Sequence, residues 1–325
     1  MKSLSDALNF FKDKRAAVVG DILLDQSIMG EVKRLNPENP AVPLSMVSDM
    51  DYRLGGAANV ARNLASLGSS CHLFGQVGKD AYGDKIRELC NESGIETFLA
   101  DSGRETIVKQ RIFSDGRYIA RIDFGEKNLD HMSINSERYI ESEIAKNLNL
   151  YDLILFGDYD KGVFRGNLAS RVIKLGKSGK ILTVADPKPA NIDGFMNCNV
   201  IRLNRNEAEK IVGNKYGGND LRITAEIMAE RTNPRYIVIT CGAEGAFAYD
   251  AEREFSHTVP ARKVEIGDPT GAGDTFAAAL GLSMASGLSF EESVRLANHA
   301  STIVVGKIGT AVTNISELRR ALNLN

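Results

Sequence analysis

From position 267 the sequence reads Gly267-Asp268-Pro269-Thr270-Gly271-Ala272-Gly273-Asp274-Thr275-Phe276 and then enters a stretch of small residues over 277–286 that predicts a helix. Gly271 and Gly273 let backbone amides converge where that helix begins, and a helix N-terminus offers unpaired N–H groups and the positive end of a dipole. That is the chemistry of a phosphate cradle. A carboxylate beside it, Asp274, repels phosphate unless it has work of its own, and a general base taking a proton from a substrate hydroxyl fits the position. Read alone, it is equally an acid capping a helix after a Gly-rich turn.

A second pattern, Gly55-Gly56-Ala57-Ala58-Asn59, also opens a helix. Paired glycines permit close backbone approach, and Asn59, one turn in, can offer an amide to a polar ligand. By itself the pattern is more simply a tight strand-to-helix turn. Gly20-Asp21 and then Asp25 follow the first expected strand, where open α/β sheets bind ligands, although acids of an ordinary loop look the same.

The elements that must position these groups alternate along the chain. Short β-branched runs at 16–19, 73–77, 153–156, 181–184 and 236–240 predict buried parallel strands. Between them lie amphipathic stretches such as 57–67, with Val60, Leu64 and Leu67 on one face and Gly68 as a stop, and 291–305, opened by a capping box from Ser289 to Glu292. This alternation predicts an α/β fold with a helix-covered, mainly parallel sheet. Two segments break the rhythm: 26–54, with Pro37, Pro40 and Pro43, and 106–124, which alternates around Ser114-Asp115-Gly116. Both read as strands outside the main sheet, either a surface elaboration or a lid over a ligand site.

Composition narrows the partners. The 325 residues carry 40 Lys and Arg against 42 Asp and Glu, a net charge of −2, so no global basic field is available for nucleic acid or an anionic membrane. An anionic ligand must meet a local cluster. Cys71, Cys90, Cys198 and Cys241 form no C-x-x-C pair, the N-terminus lacks a signal-peptide core, and no apolar run is long enough to span a bilayer. A soluble cytoplasmic protein is expected.

The run Gly55-Gly56-Ala57-Ala58-Asn59-Val60-Ala61 followed by Gly68 and Gly78, together with 268–274, resembles the two signature blocks of the ribokinase (PfkB) carbohydrate kinase family, in the family's order. The resemblance extends from about Arg15 to about Leu318. It implies one ribokinase-like domain over 1–325 with a small β-sheet lid formed by about 26–54 and 104–124. Within the family the likeness is to the kinases that phosphorylate D-glycero-β-D-manno-heptose 7-phosphate at O1. The matching stretches are Arg34-Leu35-Asn36-Pro37-Glu38-Asn39-Pro40, Arg121-Ile122-Asp123-Phe124, Asp158-Tyr159-Asp160-Lys161-Gly162, Asp186-Pro187-Lys188 and Val305-Gly306-Lys307-Ile308-Gly309-Thr310. Asn36, Asn39 and Leu203 depart from the Ser, Ala and Pro of that pattern, which bears on the sugar and not on phosphoryl transfer. Some relatives fuse such a kinase to a nucleotidyltransferase; the residues after Leu318 leave no room for one, so that step is expected on a separate protein.

The resemblance also assigns roles. It makes Asp274 the base and gives the amides of Gly271, Ala272 and Gly273 the charge of the transferring phosphoryl group. Asn204 and Glu207 match an N-x-x-E element that holds Mg²⁺ and phosphates, partly through water, while Thr240, Gly242, Gly245 and Asn298 fall to ATP. Asp25, Gly55, Gly56, Asn59 and Asp158 are expected on the sugar, with Lys109, Arg111, Arg121, Lys161 and Lys188 as the cations for its phosphate. Carbonyls of Asp268, Thr270, Val304, Lys307 and Gly309 align with a monovalent-cation (K⁺) site. Homodimerisation through the lid is expected, with no nucleic-acid or membrane partner. A kinase for another sugar or sugar phosphate, and a silent nucleotide- or sugar-binding regulator, are the other readings. A P-loop enzyme and a dinucleotide-dependent dehydrogenase are disfavoured, because G-x-x-x-x-G-K-S/T is absent and no G-x-G-x-x-G follows the first strand.

Overall fold

A computed structural model describes residues 3–39, 43–127, 129, 131–213, 220–262, 267–307 and 309–324; Pro40 and Ile308 of the stretches above lie outside them. In chain order the elements are α1 (Leu4–Phe10), β1 (Arg15–Gly20), β2 (Ile22–Leu35), β3 (Pro43–Gly56), α2 (Ala57–Ser66), β4 (Ser70–Val77), α3 (Ala81–Glu92) and β5 (Ile95–Asp101). There follow β6 (Val108–Ser114), β7 (Arg117–Phe124), α4 (Ile134–Lys146), β8 (Leu153–Gly157), α5 (Leu168–Ser178), β9 (Leu182–Asp186), β10 (Val200–Asn204) and α6 (Arg205–Val212). The chain ends through α7 (Leu221–Thr232), β11 (Tyr236–Thr240), β12 (Ala246–Asp250), β13 (Phe255–Val259), α8 (Ala272–Ala285), α9 (Phe290–Val305) and α10 (Ile315–Ala321).

The large sheet has the order β13-β12-β11-β10-β9-β8-β1-β4-β5. From β11 to β5 all neighbours are parallel, and β12 and β13 add an antiparallel edge. A parallel sheet buries both faces, and β1 shows how: Ala16 and Val18 enter one core with Leu64, Leu280 and Leu296, while Ala17 and Val19 enter the other with Ile140, Val172 and Phe195. The expected α/β architecture holds. Strands β5, β10, β12 and β13 lie outside the five runs that the sequence singles out. In β10 the cause is visible, since Arg202 interrupts the apolar run Val200-Ile201-Leu203.

Helix ends follow the local code. Ser289 and Glu292 form the reciprocal capping box of α9, and Gly68, at φ +94°, stops the chain after α2. The segments that break the alternation pair into one separate sheet of order β3-β2-β6-β7. Strands β2 and β3 are antiparallel, β2 and β6 parallel, and β6 and β7 a hairpin closed by Asp115 and Gly116, both at positive φ as a two-residue turn requires.

The first two strands of this second sheet leave and rejoin the large one at one point, while β6 and β7 are reached from β5. Strand β2 starts just after Asp21 and β3 ends at Gly56, where the Ala57 amide donates to the Asp21 carbonyl at 2.8 Å. Gly56 sits at φ +61°, and a Cβ there would lie 2.4 Å from that carbonyl oxygen, so only glycine closes the turn. On the large sheet the chain runs from β1 to β4 on one side and later to β8 on the other, so β1 marks the switch in strand order. Open sheets of this kind bind ligands beyond the C-terminal strand ends at that switch. Those ends carry Asp21, Asp158, Asp186, Asn204 and Thr240.

Candidate active site

Helix α8 begins at Ala272 without a side-chain cap, its N-cap Gly271 being left-handed at φ +79°. No side chain claims its first-turn amides, as an anion cradle requires, although the Ala272 amide donates to the Pro269 carbonyl at 3.1 Å. The small residues Ala277, Ala278, Ala279 and Gly281 are buried and let α8 lie close against the sheet and α9.

Asp274 stands in the first turn of α8. Asn59 Nδ2 donates to its Oδ2 at 2.6 Å and the Tyr159 hydroxyl donates to its Oδ1 at 2.5 Å. Part of the residue is open to the adjoining cavity, yet so much protein surrounds the carboxyl that burial pushes it up to about 6; the two donors oppose that rise. Such a carboxyl is ionised at neutral pH with appreciable proton affinity, the state a general base needs.

The floor of the site is charged. Arg202, on β10, is 8% exposed; it pairs with Asp186 Oδ2 at 2.7 Å and donates to Thr240 Oγ1 at 2.8 Å. A Cβ on Gly273 would lie 2.9 Å from the Arg202 guanidinium, so the glycine turn rests directly on the cation. Asp186 Oδ1 and Arg202 Nε are buried without a hydrogen-bond partner. Glu207 forms a capping box with Asn204 and also receives Lys188 Nζ. A cavity of about 770 Å³ opens over this floor, lined by Asn204, Glu207, Thr240, Gly242, Gly245, Asn298, Ala272, Gly273 and Asp274, with Tyr159, Lys188 and Arg202. Every residue expected on ATP lines it.

The residues expected on the sugar divide. Asp158 is 2% exposed, and its oxygens accept from the amides of Asp160 and Lys188 and from Asn191, so it is a buried scaffold beneath two loops. Asp21 does the same for the amides of Tyr159, Lys161 and Val163. Lys188 turns to Glu207, on the nucleotide side, and Asn59 turns to Asp274.

Asp25, Lys109, Arg111 and Arg121 share one face of the second sheet, because paired residues on neighbouring strands point the same way. Arg111 pairs with Asp25, Arg121 with Asp123 and Lys161 with Glu126. The half-buried Lys109 ammonium has no hydrogen-bond or ion-pair partner among the described residues. Burial lowers its pKa, and nearby Lys161 adds to that. Gly55 adjoins this face, its Cβ position being 2.7 Å from Asp25 Oδ2.

The loops carrying Asp268, Thr270, Val304, Lys307 and Gly309 are stitched together: the Asp268 carboxylate accepts from the amides of Thr270 and Gly309, and its own amide donates to the Val305 carbonyl. The Lys307 ammonium turns away to Glu317. Among the described residues no group of three or more His, Cys, Asp or Glu is placed to hold a metal ion. Tyr159 and Arg202 are the groups to which the sequence assigns no role, although for Arg202 a signal existed, a lone charge inside an apolar run. The sequence singles out Asp21 at its strand end, but as a ligand-side acid and not as the scaffold it is.

The family model for pfkB family carbohydrate kinases matches residues 14–317. The D-beta-D-heptose 7-phosphate kinase of Bordetella bronchiseptica is 34% identical, the match covering 94% of this chain and 95% of that protein. The bifunctional protein HldE of Syntrophotalea carbinolica is 33% identical over 98% of this chain, which spans 65% of that protein's length. Two solved structures share the fold. Phosphofructokinase-2 from Escherichia coli in complex with potassium has a TM-score of 0.78 at 18% identity, covering 95% of this chain and 98% of that one. Ribokinase from Thermotoga maritima has 0.72 at 19% identity, covering 95% and 99%.

Proposed function

The chain belongs to the pfkB family of carbohydrate kinases, and from that premise we propose that it transfers the γ-phosphoryl group of ATP to O1 of D-glycero-β-D-manno-heptose 7-phosphate. The observation that carries the reading is Asp274, held between two donors at the uncapped start of α8 beside the large cavity. Asp274 takes the proton of the acceptor hydroxyl, and the amides of Gly271, Ala272 and Gly273 receive the charge of the transferring group. Arg202, beneath Gly273, adds a fixed positive charge where water is scarce. ATP occupies the cavity along Thr240, Gly242, Gly245 and Asn298. Asp186, whose Oδ1 is unpartnered, lines the cavity with Asn204 and Glu207 and would hold Mg²⁺ there, Glu207 exchanging the Lys188 ammonium for it; when bound, Mg²⁺ supplies charge neutralisation to the phosphates.

A sugar that already carries a phosphate suits the second sheet. Arg111, Arg121 and Lys161 are matched by carboxylates, and Lys109 is left for an anion. Lys109→Met is expected to raise KM for the sugar phosphate about 10- to 100-fold, the worth of one charge-assisted hydrogen bond, with KM for ATP unmoved. Initial-rate kinetics check this; equal losses for an unphosphorylated sugar would sink it. The acceptor itself is tested by ADP release with heptose 7-phosphate, ribose and fructose 6-phosphate. No turnover of the first beside good turnover of another overturns the choice of sugar.

The opposite face of the second sheet supports a homodimer. Met50, Ile122 and Phe124 are 48, 42 and 41% exposed there, apolar surface that a second copy would cover. Light scattering giving a monomer mass excludes it. Activation by K⁺ at the 268–270 and 304–309 loops is tested by replacing K⁺ with tetramethylammonium in the same assay. Among the described residues no helix is long and apolar enough to cross a membrane. A cytoplasmic location rests on the four unpaired cysteines, three of them buried, and a signal-peptide screen by fractionation tests it.

A further inference from the structure

Neither phosphate binding nor sugar recognition accounts for Tyr159. Its hydroxyl donates to one oxygen of Asp274 and Asn59 donates to the other, so each carboxylate oxygen meets one neutral donor. The charged groups that act on this carboxyl are Asp186, at the end of β9, and Arg202, on β10. These are paired with each other, so their opposite effects largely cancel. What keeps a packed carboxyl ionised here is therefore the pair of donors.

The main chain of Tyr159 is fixed before any ligand arrives. Its amide donates to Asp21 Oδ2 at 2.9 Å, and the next two amides, of Asp160 and Lys161, donate to Asp158 and Asp21. The ring is held as well, with Lys188 Nζ 5.8 Å from its centroid. A phenol anchored in this way reaches Asp274 without rearrangement.

We propose that Tyr159 is a positioning residue for the base, orienting the Asp274 carboxylate and holding it ionised until the acceptor hydroxyl delivers its proton. This rests on the reading of Asp274 as general base. In the transfer the acceptor O–H bond breaks and its proton goes to Asp274. The freed oxygen forms the new P–O bond, and the bond between the γ-phosphorus and its bridging oxygen breaks, releasing ADP. Tyr159 keeps its own proton throughout.

The test is the pH dependence of kcat/KM. In the unmodified protein the rate falls about tenfold per pH unit below the Asp274 pKa of about 6. Tyr159→Phe keeps the ring and deletes the donor, which raises the carboxyl's proton affinity. The acid limb then moves up by about one pH unit, with KM for ATP unchanged. Incorporating 3-fluorotyrosine at 159, a stronger donor, moves the limb down and serves even where the Phe variant folds poorly. A limb that stays in place in both proteins overturns the proposal. So does a Phe variant altered only in KM for the sugar, which would make Tyr159 a substrate contact. If Asp274→Asn keeps its rate within tenfold, the base reading itself has failed; if that variant is inactive while the limb never moves, only the role of Tyr159 has.

Discussion

Replacing Asp274 with Asn is expected to lower kcat about 10²- to 10⁴-fold with little effect on stability, as judged by ADP release and thermal unfolding. The change is isosteric. An amide at 274 can turn its oxygen to Asn59 Nδ2 and its nitrogen to the Tyr159 oxygen, since a phenol both donates and accepts. Both hydrogen bonds survive in that arrangement. A carboxyl that burial holds at about 6 is replaced by a neutral group, so removing its charge carries no electrostatic penalty for the fold. What disappears is the capacity to take a proton. A rate within tenfold of the unmodified protein at saturating ATP would leave Asp274 as no more than the acid in the first turn of α8.

The largest stability effect is expected at Arg202. Arg202→Met removes one member of a buried ion pair, leaves Asp186 with neither oxygen matched, and leaves Thr240 Oγ1 only its 3.4 Å bond to the Leu203 carbonyl. Breaking such a pair from one side costs about 3–5 kcal/mol, against a total stability of about 5–15 kcal/mol for a domain. Burial already raises the Asp186 pKa, Arg202 being the main opposing influence, and without the guanidinium it rises further. A carboxyl whose pKa is higher folded than unfolded destabilises the fold when ionised, so the deficit of the variant is largest at neutral pH and shrinks as pH falls through the raised value. Urea unfolding at two pH values reads both parts. Pairing Arg202→Met with Asp186→Leu is expected to recover much of the loss, because the charge left behind, and not the missing salt bridge, is what costs. A single-variant deficit below about 1 kcal/mol would show that the pair is solvated rather than buried.

How much of this was legible in the sequence depends on how far apart the partners stand along the chain. The glycines at 271 and 273, the capping box of Ser289 and Glu292, and the Asp115-Gly116 turn are local, and the sequence shows them because neighbouring residues decide the geometry. The α/β alternation and the second sheet were legible for the same reason. Arg202, Tyr159 and Asp186 converge on Asp274 because β8, β9 and β10 are neighbours in the sheet, and strand order is set by long-range packing that no short window displays. Arg202 also hid its own strand by breaking the apolar run that marks one. Lys188 and Asp158 had the residue types a sugar phosphate calls for. Their positions after β9 and β8 instead give them to Glu207 and to the loop amides.

On the proposed reading, the closure of β2 and β3 at Asp21 and Ala57 makes recognition of the acceptor a cassette. Residues 22–56 depart and return beside one hydrogen bond of 2.8 Å and are anchored by the buried Ile22, Leu24 and Leu54, so the strands beyond those anchors can change in length and sequence while β1 and α2 stay joined as they are. Asp274, the glycine turn and the nucleotide cavity are built from the far side of that joint. On the same reading, grafting another sheet beyond those anchors, with a matching 107–124 hairpin, is expected to exchange the sugar and leave the phosphoryl-transfer machinery in place, a division that lets one catalytic body serve many acceptors.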